Sequence, residues 1–180
     1  SDVPKKEPFT ITKPGGSKEF EVIGIPLKGT GFYVVEIESL MLGTRLLEKP
    51  APVYVPTAAL MTNMAAHFKW GRSSSLVFIT ALDSGEPVPK ASVTLRDCRG
   101  AVVWQGETDD DGIARINKQL PGPNGLARCK RERQEKGFYY ESSRVLSGIS
   151  RGLFVFARKG NDMTFTHSSW DDGIESWRFN

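Results

Sequence analysis

The chain has 180 residues, 39% of them hydrophobic and 25% charged, the profile of an ordinary soluble globular protein with room for one large or two small domains. Its formal net charge of +3 is small and dispersed. The basic cluster Arg128–Arg133 is interrupted by an acid and followed by Glu135, so it reads as a solvated loop, not as the contiguous stripe a nucleic-acid partner needs.

Residues 1–16 carry Pro4, Pro8 and Pro14 among polar neighbours and are expected to be extended or loop-like. Phe20–Ile25 is an expected strand, followed by a turn over Pro26–Gly31. In Phe32–Glu38 the alternation puts Tyr33, Val35 and Ile37 on one face and Val34, Glu36 and Glu38 on the other, a half-buried strand with a wet face. Two or three strands do not bury a sandwich core by themselves. Residues 1–51 therefore read as the closing strands of a preceding domain, or as edge strands added to the next one. The Pro-rich junction Glu48–Val53 sets the boundary, with the second domain over 52–180.

Tyr54–Trp70 is open to two readings. Its Ala and Met content permits a helix with Leu60, Met64 and His67 near one face. The β-branched Val53, Val55 and Thr57 and the aromatics Phe68 and Trp70 favour a broken or bulged strand, which is the expectation.

From Leu76 onward the pattern is short strands separated by strong turns, with no helix-length segment between them. Leu76–Leu82 is apolar on both faces apart from Thr80 and is expected to be central. Asp83–Val88 is a turn, with Asp83 to cap the backbone, Gly85 for positive φ and Pro87 to fix φ. Ala91, Val93 and Leu95 should face inward while Ser92, Thr94 and Arg96 face out. Asp97–Gly100 turns the chain into a strand over 101–108, and Asp109–Gly112 turns it again into Ile113–Ile116. Gln119–Gly125 is a loop and Lys130–Tyr140 a charged surface excursion. Arg151–Arg158 is a second hydrophobic strand, joined by a hairpin turn over Lys159–Asp162 to Met163–His167. These elements specify an all-β protein, an antiparallel fibronectin- or immunoglobulin-like β-sandwich.

Site-like clusters are few. Asp109, Asp110 and Asp111 lack the alternating ligands and the closing glutamate of a calcium loop and suit a turn better. The two histidines, His67 and His167, have no nucleophile at a recognisable spacing; Ser73–Ser75 is not a Gly-x-Ser-x-Gly elbow. With two histidines and two distant cysteines, no zinc spacing is present either. The reading is of a non-enzyme with no cofactor and no metal. Cys98 and Cys129 lie in segments that a sandwich brings together. A disulfide worth roughly 3–4 kcal/mol is expected there against the alternative of two cytosolic thiols, and it implies an oxidising compartment. No apolar run approaches membrane-spanning length, and the opening Ser1–Lys6 lacks the shape of a signal peptide and looks like a mature or excised segment. Trp170, Trp177 and Phe179 are candidates for docking on a neighbouring domain, or for stacking on a sugar, against the plainer reading that they pack on their own sandwich.

From Gly31–Ser39 onward the chain resembles the bacterial α2-macroglobulins. The resemblance is carried by Tyr54–Lys69, the Leu76–Leu82 strand with its Asp83–Val88 turn, Thr108–Arg115, and the Ala157–Met163 hairpin followed by Trp170. It implies macroglobulin-like domains from the N-terminal scaffold of a periplasmic, broad-spectrum protease trap, typically a lipoprotein anchored to the inner membrane. It further implies a bait region and, in many members, a reactive thioester. The thioester signature Cys-x-Glu-Gln is absent, since Cys98 precedes Arg-Gly-Ala and Cys129 precedes Lys-Arg-Glu, and no lipobox is present. The implied partners are other domains of the same parent chain and, through the full-length protein, target proteases; membrane contact would come only through an anchor outside this segment. An extracellular adhesive or carbohydrate-binding sandwich using Trp170 and Trp177 is the alternative.

Overall fold

The structure, a computed structural model, describes residues 8–12, 22–129 and 148–170. The first unit met along the chain is a ribbon. β1 (Gly31–Ser39) and β2 (Val53–Met61) pair antiparallel in a two-stranded sheet of their own, from Gly31 opposite Met61 to Ser39 opposite Val53. Between them lies α1 (Leu40–Leu46), whose first turn is capped by Ser39, its Oγ accepting from Leu42 N at 3.2 Å. Gly43 sits inside this helix because the chain returns against it: a Cβ there would meet Ala51 O at 1.6 Å. The expected strand over Phe20–Ile25 is not formed in its described part, since residues 22–25 carry no regular element; Phe20 and Glu21 lie outside the described residues.

The remaining strands build the sandwich. One sheet has the order β3 (Met64–Lys69), β4 (Ser75–Ala81), β7 (Ile113–Ile116), and the other the order β6 (Val102–Glu107), β5 (Ser92–Arg96), β8 (Phe154–Lys159), β9 (Asp162–His167). Every pairing is antiparallel. The ambiguous Tyr54–Trp70 segment is thus strand on both sides of a break at Thr62–Asn63. β4 lies centrally between β3 and β7, as its two apolar faces require.

The core forms where the inward faces meet. Val77 and Ile79 of β4, Val93 and Leu95 of β5, Ala114 and Ile116 of β7, and Val155 and Ala157 of β8 are buried, with Met64, Phe68 and Leu153 closing the layer. Trp104 packs against this cluster across Gly106, where a Cβ would meet its ring at 2.5 Å. β8 starts at Phe154; Arg151–Leu153 lead into it without strand pairing.

The turns follow their residues. Asp97 Oδ1 accepts from Arg99 N and Ala101 N, both at 2.9 Å, and Gly100 takes φ 81. Asp109 Oδ1 accepts from Asp111 N at 3.1 Å and from Ile113 N at 2.9 Å, and Gly112 takes φ 71. In the β8–β9 hairpin φ is positive at Gly160 and not at Asn161, the pattern of a type II′ connection.

Candidate functional site

The residues that looked most like a catalytic or metal site are consumed by the architecture. Asp109 builds its turn and lies 3.8 Å from Arg115 Nε, and among the described residues no group of three or more His, Cys, Asp or Glu is placed to hold a metal ion. Ser75 Oγ accepts from Gly71 N at 3.1 Å at the bend entering β4. His67 is exposed on β3, its ring 6.0 Å from Phe78. Cys98 and Cys129 form a disulfide with their Cα atoms 6.0 Å apart, tying the β5–β6 turn to the segment that precedes residue 130.

His167 has a neighbour that sequence spacing did not flag. Its Nδ1 lies 2.7 Å from Ser169 Oγ and accepts from Ser169 N at 3.2 Å, which leaves the ring proton on Nε2. The side chain is fully buried, Nε2 has no hydrogen-bond partner among the described residues, and a Cβ on Gly152 would meet it at 2.8 Å. Burial holds the imidazole pKa below its ordinary value. Among the described residues no carboxylate orients the ring, and the contact with Ser169 folds the chain back after β9.

At one end of the sandwich, Phe68 and Trp70 stack at 6.3 Å and 25° beside an open cleft of about 600 Å³. Among the described residues its ionisable lining groups are Lys69 and Arg72, with Gln119 and Ser168 as further polar groups, and neither a nucleophile–base pair nor a carboxylate among them lines it.

The most distinctive surface is aromatic. Phe154 and Phe156 on β8 point away from the core, because Val155 and Ala157 take the inward positions. Opposite them on β9 stand His167 and Phe165. The rings form a connected stripe: Phe154 to Phe156 at 6.3 Å, Phe156 to Phe165 at 5.8 Å, Phe165 to Trp170 at 5.7 Å and Phe154 to His167 at 4.5 Å. The next strand inward, β5, shows Ser92, Thr94 and Arg96 on the same side, so the apolar character ends at β8. At the other margin Phe32 of β1 meets Phe165 edge-on at 6.1 Å and 65°. Of the three aromatics expected to dock, Trp170 belongs to this stripe and is 45% exposed; Trp177 and Phe179 lie outside the described residues. Phe154, Phe156 and Phe165 carried a faint signal in the sequence, namely bulky aromatics on alternate positions of otherwise apolar strands.

Comparison with known proteins places the architecture. The family model of the bacterial alpha-2-macroglobulin MG3 domain matches residues 61–180. Among solved structures, the chain is similar to native alpha-2-macroglobulin from Escherichia coli spanning domains MG0-NIE-MG1, at 15% identity and a TM-score of 0.50, over 79% of this chain and 35% of that one. It is also similar to a shorter piece of the same protein spanning domains NIE-MG1, at 13% identity and a TM-score of 0.43, over 63% of this chain and 40% of that one. The chain thus spans well under half the length of either solved relative. A search of the curated proteins found no match.

Proposed function

This chain belongs to the bacterial alpha-2-macroglobulin MG3 domain family, and we propose that it is a structural scaffold module of a broad-spectrum protease-trapping inhibitor. The observation that carries this reading is how the polar and apolar groups are spent. Asp97 and Asp109 build turns and the two cysteines a cross-link, while Phe154, Phe156, Phe165 and Trp170 are gathered on one face of the sandwich. A module of that kind contributes shape and surfaces for other domains, not chemistry. In the parent protein, any thioester would lie outside these residues, because both cysteines here are engaged with each other.

The disulfide supports an oxidising compartment, and the proposed location is the periplasm, with the parent held at the inner membrane by a lipid outside this segment. The division at residues 51 and 52 remains part of the proposal: it leaves β2 in the second unit although its ladder partner among the described residues, β1, lies in the first, so the ribbon is a connector shared by both. The partners would be other domains of the same parent chain and, through the whole protein, its target proteases.

The adhesive alternative would need a flat aromatic platform. Trp170 instead lies at 52° to Phe165 and 57° to His167, a geometry better suited to interlocking with a protein surface. Two measurements on the chain by itself separate the readings. As an inert scaffold module it should leave a protease's hydrolysis of a protein substrate unchanged, and its tryptophan fluorescence should stay flat on titration with glycans. Saturable quenching by a glycan would transfer the chain to the adhesive class.

A further inference from the structure

β2 ends at Met61 and β3 starts at Met64, so Thr62 and Asn63 join the ribbon to the sandwich. Among the described residues no ladder runs from β1 or β2 into either sandwich sheet. Two loop residues between separate sheets are the kind of joint that absorbs a domain rotation in a few backbone dihedrals. Backbone continuity alone would therefore let the ribbon swing.

Contacts remote in sequence cross that joint. Asn63 N donates to Asp162 Oδ2, on the first residue of β9, at 2.9 Å. Thr30 Oγ1 donates to Asn161 O in the β8–β9 turn at 3.2 Å, and Phe32 meets Phe165 edge-on at 6.1 Å. A carboxylate, a carbonyl and a ring of one hairpin thus hold three points of the ribbon and its joint. The register sets Gly31 opposite Met61, so Thr30 and Phe32 of one strand and Asn63 beyond the other sit at the same end of the ribbon. The hairpin grips both strands there. Asn63 is also held from its other side, its Oδ1 accepting from Asp83 N at 3.1 Å and its O from Leu82 N at 2.7 Å. The bond to Asp162 is the strongest grip by type, because an ionised acceptor strengthens an N–H bond over a neutral one.

We infer that the β8–β9 hairpin is a clamp that closes the Thr62–Asn63 hinge, with Asp162 as its principal grip, so that ribbon and sandwich turn as one rigid body. The clamp is made of this chain's own contacts and works in the chain by itself, whatever larger protein it serves. Anything carried on the ribbon is then held at a fixed angle to the sandwich.

Residual dipolar couplings of the backbone N–H groups, measured on the isotope-labelled chain in a weakly aligning medium, test it. Couplings from β1 and β2 and those from β3 to β9 should fit one alignment tensor of one magnitude. In the double variant Thr30→Ala, Asp162→Ala the two sets should need separate tensors, the ribbon's at least about twofold smaller in magnitude, while each set still fits its own fold. Asp162→Asn keeps an oxygen to accept from Asn63 N and should retain the shared tensor, which separates loss of the grip from damage to the hairpin. Two tensors in the native chain, a shared tensor of unchanged magnitude in the double variant, or a separation in Asp162→Asn as large as in the double variant would overturn the clamp. The native measurement decides even where a variant does not fold.

Discussion

At the scale of single residues, the structure spends its buried polar groups on fixing backbone. Thr108 Oγ1 accepts from Ala91 N at 2.8 Å and donates to Val88 O at 2.7 Å, stitching the segment that leads into β5 to the residue that follows β6. The isosteric Thr108→Val removes both bonds and leaves a buried amide unpaired, and should lower unfolding free energy by about 1–3 kcal/mol in a urea titration. His167 makes stability depend on pH. Burial depresses its folded-state pKa below the ordinary value of 6.5, so the unfolded chain takes up the proton more readily. The stability this group contributes is complete above that ordinary value and is lost as pH falls from there through the folded-state pKa. The urea midpoint should therefore drop as pH falls below about 6.5, and His167→Gln should flatten that part of the profile. An unchanged slope in the variant would assign the drop to other groups.

At the scale of elements, the sandwich was readable because each strand states its face in its own sequence. Ala91, Val93 and Leu95 alternate with Ser92, Thr94 and Arg96, and all three apolar residues are buried. The turns were readable for the same reason, since Asp97, Asp109, Gly100 and Gly112 act within a few residues of themselves. Helix α1 was not readable. It is short and holds a glycine at a position where tertiary contact with Ala51, not helix propensity, decides the residue. The separate pairing of β2 with β1 was hidden too, because alternation reports a strand's faces and not its partner. The disulfide acts at this scale, closing a loop of sequence separation 31 between the β5–β6 turn and Cys129, whose N donates to Ser150 O. The double variant Cys98→Ala, Cys129→Ala should lose about 3–4 kcal/mol, read as a fall in Tm of roughly 10 °C. A Tm within a degree or two of the native chain would show that packing alone holds this junction.

At the scale of the whole molecule, the aromatic stripe was legible only in part. Trp170 stood out as an aromatic beyond the last strand, but Phe154 and Phe156 alternate with Val155 and Ala157 in a strand that is apolar on both faces, so the sequence did not state which pair looks outward. Phe32 and Phe165 are brought together only by the fold. That surface, the turn-building Asp97 and Asp109 and the paired cysteines support the proposed reading of a scaffold module within a larger protein. The most direct measurement is the activity of a protease mixed with the full-length parent, read on a protein substrate and on a small peptide substrate in parallel. Protein hydrolysis should be suppressed while the small substrate is still turned over, and this chain alone should change neither; suppression by this chain alone, or undiminished protein hydrolysis in the presence of the parent, would contradict the account.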